Sequence, residues 1–251
     1  MVTFDHRDSG TPEALWRDAE PWAAGLPLDV TEADAIVVVA AHPDDESLGA
    51  GGLLALAHRH RVPVTVVVAT LGEASHPASP TVTPDALKVL RRVEVRDAVA
   101  ALAPTAALHL LDLPDGDLLA HLPELSDALT RILAPLPATT WVVSPWLDDG
   151  HPDHRAAALA ASACALLRGM HALGAPIWAW HWGAPDDPSL PWSRSRVLQL
   201  DADAAAAKQA ALAVHRSQHA ALSPLPGDEP ILAPAFLTHF DRPVEVFFDQ
   251  E

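Results

Sequence analysis

Two clusters of ligand-type and acid–base residues lie far apart in the chain, His42-Pro43-Asp44-Asp45-Glu46 and His151-Pro152-Asp153-His154. Three successive carboxylates beside a buried strand repel one another and lose solvation, so a positive charge is needed to offset the cost. A divalent cation meets that need. His together with Asp selects zinc or a similar borderline metal over calcium, which prefers an all-oxygen shell. Three protein ligands and one open position is the arrangement of a catalytic zinc site. If His42, Asp45 and His154 are those ligands, Asp44 and His151 remain free beside the metal as base and acid.

Such residues must be carried by strand ends. The run 35–40 is β-branched and almost uninterrupted, as expected of a central parallel strand buried on both faces. An acidic loop follows it, and Gly49, Gly51 and Gly52 lead into a helix. Residues 141–144 read as another strand, 145–150 as a turn-rich loop, and Asp153 as the cap of an Ala-rich helix with His154 in its first turn. Further strands are expected at 64–69, 107–111 and 177–182, an edge strand at 197–200 and a terminal strand at 244–248. Helices are expected at 85–102, 122–133, 154–168 and 202–215. This alternation predicts a parallel, doubly wound α/β sheet, with its chemistry at the carboxyl ends of the strands.

The motifs at 41–46, Glu94 and Ala98 on an Arg-rich helix, Leu113-Pro114-Asp115-Gly116, the His151/His154 pair, and Lys208 followed by His215-Arg216-Ser217-Gln218 occur in an order that resembles the LmbE-like, or PIG-L, family of metal-dependent de-N-acetylases. The resemblance runs over about residues 35–218. It implies a Rossmann-like α/β/α sandwich and a hydrolase that removes acetyl from an N-acetylglucosamine-type small molecule, with Zn2+ as the metal and Fe2+ or another divalent ion as alternatives. It makes His42, Asp45 and His154 the metal ligands and Asp44 the general base. His151, protonated, stabilises the oxyanion or protonates the leaving amine. Arg91 and Asp115 become candidate substrate contacts. Some members carry a Tyr just before the His pair; this chain has none, and Asp149 stands near that place as a further substrate candidate. Trp146, in the metal loop, is a candidate for stacking on the substrate. Family members are often homo-oligomers, which a strand carrying Trp178, Trp180 and Trp182 is compatible with.

Composition bounds the alternatives. A chain of 251 residues, 49% hydrophobic, can bury one sizeable core, and 1–251 reads as a single domain. The net charge of −17 disfavours nucleic acid and anionic membrane surfaces. Residues 1–24 lack an apolar core, so neither a signal peptide nor a membrane span is expected there. The single cysteine, Cys164, allows no disulfide framework, and a reducing, cytoplasmic setting follows. Arg91, Arg92 and Arg96 beside Glu94 and Asp97 are also accounted for by pairing on a solvated helix, and His215 and Gln218 by a cap or core role. A two-metal phosphoesterase would need more carboxylate ligands than are visible. A dinucleotide-dependent oxidoreductase would need a Gly-rich turn where His-Pro-Asp-Asp-Glu stands. An amidase acting on a non-sugar or thiol-conjugate substrate, or a non-catalytic binding module, are the other readings.

Overall fold

The computed structural model describes residues 4–250. In chain order its strands are β1 (Leu26–Pro27), β2 (Ile36–Ala40), β3 (Val64–Val68), β4 (Ala107–Leu110), β5 (Trp141–Pro145), β6 (His171–Ala175), β7 (Ser195–Gln199) and β8 (Val244–Asp249). The helices are α1 (Glu13–Ala19), α2 (Asp45–Arg59), α3 (Pro84–Leu102), α4 (Leu122–Leu133), α5 (Pro152–Leu166), α6 (Ala179–Trp182), α7 (Ala202–Val214), α8 (Arg216–His219) and α9 (Pro234–Leu237). The strands form one sheet of order β1-β7-β8-β6-β5-β2-β3-β4. Every pairing is parallel except those of β8, which runs antiparallel to both β6 and β7.

All five residues of β2 are buried, and their alternation feeds both faces of the sheet. Ile36, Val38 and Ala40 pack with Leu53, Leu54, Val95 and Val99 of α2 and α3, and with Ala211 of α7. Val37 and Val39 pack on the other side with Leu125 and Leu129 of α4 and the alanines of α5. This is the expected α/β/α sandwich. Small residues suit α5 because it lies against the sheet: Ala156, Ala157, Ala160 and Ala161 are all buried.

Two expectations fail on the far side of β5. The strand placed at 177–182 is a turn and the short helix α6, and the strand beside β5 is His171–Ala175, just upstream. Its sequence, His-Ala-Leu-Gly-Ala, has little β propensity; pairing to β5 on one side and β8 on the other imposes the conformation. Trp178 and Trp180 therefore do not share a strand face. They are buried in a third cluster with Trp16 of α1, Trp22, Phe236 and Phe248. β7, expected at an edge, lies inside the sheet between β1 and β8. Among the described residues no helix is long and apolar enough to cross a membrane.

Candidate active site

The order β5-β2-β3 puts a topological switch beside β2, and the loops leaving β2, β3, β4 and β5 converge at the carboxyl edge of the sheet. They enclose a cleft of 210 Å3 lined by His42, Asp44, Asp45, Gly72, Ser75, Arg91, Asp115, His151, His154 and, on its apolar side, Leu48, Ile177, Trp178, Ile231 and Leu232. Both sequence clusters are thus brought together in one place.

The β2 loop is arranged around Asp45. Its Oδ2 accepts the backbone N–H groups of Ala41 and His42, both at 2.9 Å, which leaves Oδ1 to face His154 Nε2 at 3.2 Å. Asp44 sits at φ 121, in the left-handed region that costs a non-glycine residue backbone strain. The strain is held by Glu46, whose Oε2 accepts the Asp44 N–H at 3.0 Å, and by Gln218, whose amide donates to Pro43 O. The result keeps Asp44 at the start of α2 and in the cleft wall, 5% exposed. Burial and the neighbouring Asp45 carboxylate push the Asp44 carboxyl up to about 8. Asp45 goes the other way: burial opposes ionisation, but His154 and His42 hold its carboxyl well below the usual range.

α5 presents the second cluster. The cap is His151, not Asp153: Pro152 occupies the first helical position, and His151 Nδ1 accepts the Asp153 N–H at 3.1 Å. Asp153 is freed to reach across to the β4 loop, where it accepts from Gly116 N (2.8 Å) and Leu118 N (3.1 Å) and meets His42 Nε2 at 3.2 Å. Asp115 Oδ1 lies 3.3 Å from the same nitrogen. Two carboxylates thus fix the His42 ring and leave Nδ1 facing Asp45 Oδ2 at 3.7 Å.

Asp149 is fully buried and its carboxylate is saturated. It accepts the N–H groups of Ile177, Trp178 and Ala179 at 2.7–3.0 Å and His154 Nδ1 at 2.7 Å. With no oxygen left for a substrate, it orients the His154 ring instead, so its expected place in substrate binding is corrected. A carboxylate on one imidazole nitrogen fixes the tautomer and aims the other nitrogen at a metal. His154 Nε2 is indeed buried and makes no hydrogen bond. Asp149→Asn, retaining the shape but weakening this hold, is expected to cost 10–100-fold in metal affinity, read by competition with a chromophoric chelator.

This donor set fits a divalent cation. His154 Nε2, which makes no hydrogen bond, lies 3.2 Å from Asp45 Oδ1, and His42 Nδ1 lies 3.7 Å from Asp45 Oδ2, all three residues lining the same carboxylate-rich cleft. Nitrogens of His42, His151 and His154 also lie within 4.8 Å of one another, as do ligand atoms of His42, Asp115 and Asp153. Against the ligand set His42, Asp45 and His154 expected from the sequence, the nitrogens that group here are those of His42, His151 and His154, with the Asp45 carboxylate 3.2 Å from His154 Nε2. His151 itself is held low, at about 3, by burial and then by His42 and His154. Its Nδ1 acts as an acceptor, which leaves the proton on Nε2. The protonated His151 expected from sequence is replaced by a neutral imidazole.

Of the substrate candidates, Arg91 and Asp115 line the cleft and Trp146 does not. Trp146 is buried against Phe248, with ring centroids 5.2 Å apart, and lies near-parallel to Trp182. Arg91 is buried rather than solvated; Nη1 donates to Gly72 O (2.7 Å), Nε to Ser217 Oγ (3.3 Å), and Nη2 has no partner. Glu94, also buried, accepts from Ser217 N and Oγ. His215 pairs with Glu46 at 3.0 Å outside the cleft lining, bracing the loop that holds Asp44.

The sequence pattern of the family described as PIG-L, GlcNAc-PI de-N-acetylase, matches residues 37–165. A 38-residue stretch is 53% identical to a probable N-acetyl-alpha-D-glucosaminyl L-malate deacetylase 2 of Bacillus subtilis (strain 168), covering 15% of this chain and 17% of that relative's length. Among solved structures, the conserved protein TT1542 of Thermus thermophilus is 30% identical with a TM-score of 0.53, over 73% of this chain and 79% of that one. The N,N'-diacetylchitobiose deacetylase of Pyrococcus horikoshii has the same fold, with a TM-score of 0.61 at 19% identity over 82% and 78% of the two chains.

Proposed function

We propose, from the premise that this chain belongs to the PIG-L family, that it is a metal-dependent hydrolase removing acetyl from an N-acetylglucosamine-type substrate. The observation that supports this most directly is that His154 Nε2, without a hydrogen bond, faces the Asp45 carboxylate at 3.2 Å while a separate, strained Asp44 lies in the same cleft. On this reading one carboxylate ligates and the next moves a proton. The deacetylases named among the relatives and structural neighbours agree with it.

His42, Asp45 and His154 would hold the cation, with zinc favoured by their chemistry. When bound, such an ion supplies Lewis acidity toward a carbonyl oxygen and lowers the pKa of water. Asp44 accepts a proton from the attacking water as the water oxygen bonds to the acetyl carbon. His151 Nε2–H donates a hydrogen bond to the carbonyl oxygen as charge develops there. Asp44 then returns the proton to the amine nitrogen as the C–N bond breaks, giving acetate and a free amine. Arg91 Nη2 and Asp115 are assigned to substrate hydroxyls. A reducing compartment suits the free, buried Cys164.

The experiment is acetate release from a panel of N-acetylglucosaminyl compounds by the zinc- or iron-loaded protein, with the metal-stripped protein as control. No release from any member of the panel overturns the reading. His151→Ala is expected to lose about 10²–10³ in kcat, the cost of one oxyanion donor, while keeping its metal. Metal loss in that variant, measured by elemental analysis, would instead make His151 a ligand.

A further inference from the structure

Two loops without helix or strand complete the wall of the cleft: 72–83, after β3, contributes Ser75, and 220–233, after α8, contributes Ile231 and Leu232. Each is anchored at its base to residues of the cleft. Arg91 Nη1 donates to Gly72 O at 2.7 Å and Ala74 N to Asp115 Oδ2 at 2.8 Å, while Leu232 N donates to Gln218 O at 2.9 Å.

Beyond those anchors one carboxylate joins the loops to each other. Gly227-Asp228 has the look of an ordinary turn in the sequence, but Asp228 is fully buried, and its oxygens accept Ser223 Oγ at 2.5 Å, Ser79 Oγ at 2.5 Å and Thr81 Oγ1 at 2.6 Å. Ser223, then Ser79 and Thr81, hold the carboxyl below the ordinary carboxylate value, so it is ionised near neutral pH and its hydrogen bonds are of the stronger, charge-assisted kind. Ser223 would suffice to close the turn. Ser79 and Thr81 come from the other loop and make the contact a lock between the two. Gly227, at φ 96, lets the backbones close on each other, for a Cβ there would meet Ala78 O at 2.5 Å. His76 Nε2 donates across the same seam to Glu229 O at 3.0 Å. Ser75 and Ile231 are thereby held between the anchored bases and the seam. Asp228 lies outside residues 37–165, the stretch that carries the family pattern.

We infer that Asp228 is a positioning residue for substrate binding: by locking the two loops together it keeps the wall at Ser75 and Ile231 formed before substrate arrives, and so sets affinity and not turnover. A wall formed only part of the time lowers the apparent affinity by that fraction. The bonds that hold Asp44, His42 and His154 do not pass through Asp228. The inference rests on the deacetylase reading for the identity of the substrate, and its test separates the two. Hydrogen–deuterium exchange is followed by mass spectrometry on the full chain for the natural sequence, Asp228→Ala and the double variant Ser79→Ala with Thr81→Val, which removes donors from one loop only. In the double variant exchange is expected to quicken about tenfold or more in 220–233, the loop that carries no substitution, with β2 and α5 unchanged. Calorimetric titration of the metal-stripped proteins with N-acetylglucosamine should show binding weakened about three- to thirtyfold in both variants. Their kcat, metal-loaded, should stay within about twofold of the natural sequence. Should Asp228→Ala fail to fold, the double variant decides. Unchanged exchange in 220–233, unchanged affinity, no binding of the sugar by the natural sequence, or a kcat that falls with affinity intact, each overturns the inference. Quickened exchange and weakened binding without acetate release from the metal-loaded natural sequence overturn the deacetylase reading and leave the lock standing.

Discussion

Replacing Asp44 by Asn is expected to lower turnover by about 10²–10⁴ while metal content stays near normal. Asn matches Asp in size and keeps hydrogen-bonding capacity, so the strained turn at φ 121 and its hold by Glu46 and Gln218 survive. What disappears is the carboxylate proposed to accept the proton. The pH profile carries the same signature. Burial and Asp45 push the Asp44 carboxyl up to about 8 in the metal-free protein, and a cation beside it draws that value down. A base works only when deprotonated, so kcat/KM should fall as pH drops through the Asp44 pKa, and this acid limb should be missing from the residual activity of Asp44→Asn. Elemental analysis and a pH–rate series on both proteins provide the check. An acid limb that persists unchanged in the variant assigns it to another group. Metal loss in Asp44→Asn with retention in Asp45→Asn would exchange the two roles.

His154→Ala should lose most of the bound metal and, with it, activity. The ring is fully buried, fixed by Asp149 at 2.7 Å and aimed at Asp45 Oδ1 at 3.2 Å. On the proposed ligand set, two protein ligands then remain where a catalytic zinc centre needs three. The loss also strips Asp149 of one partner, but three backbone N–H groups still satisfy that carboxylate, so the fold should hold. Full metal occupancy after gel filtration would sink the ligand assignment. A circular-dichroism spectrum like that of the natural sequence makes an observed loss a statement about the site and not about folding.

The architecture was readable where pattern and packing agree. β2, buried on both faces, and the amphipathic α4 declare themselves by apolar spacing, and the sandwich follows from strand–helix alternation. Where local and tertiary demands diverge, the reading failed. β6 is made of residues with little strand preference, and the alternating tryptophans that follow it imitate a strand while serving the core. Pairing on two sides outweighs propensity there.

By itself the sequence determined the chemistry available: the two His and Asp clusters, their place after apolar strands, and the adjacent pair Asp44-Asp45 that allows one carboxylate to ligate and the other to act as base. Only the tertiary structure decided which polar groups remain free. Asp149 and Asp153, one expected at the substrate and the other at a helix cap, are consumed in orienting His154 and His42. Trp146 is withdrawn from the cleft, and Arg91 and Glu94 leave the solvated face for the interior. The reason is physical. A side chain's role depends on partners supplied by loops that lie tens of residues away in the chain, and a carboxylate already saturated by backbone N–H groups has nothing left to give a substrate.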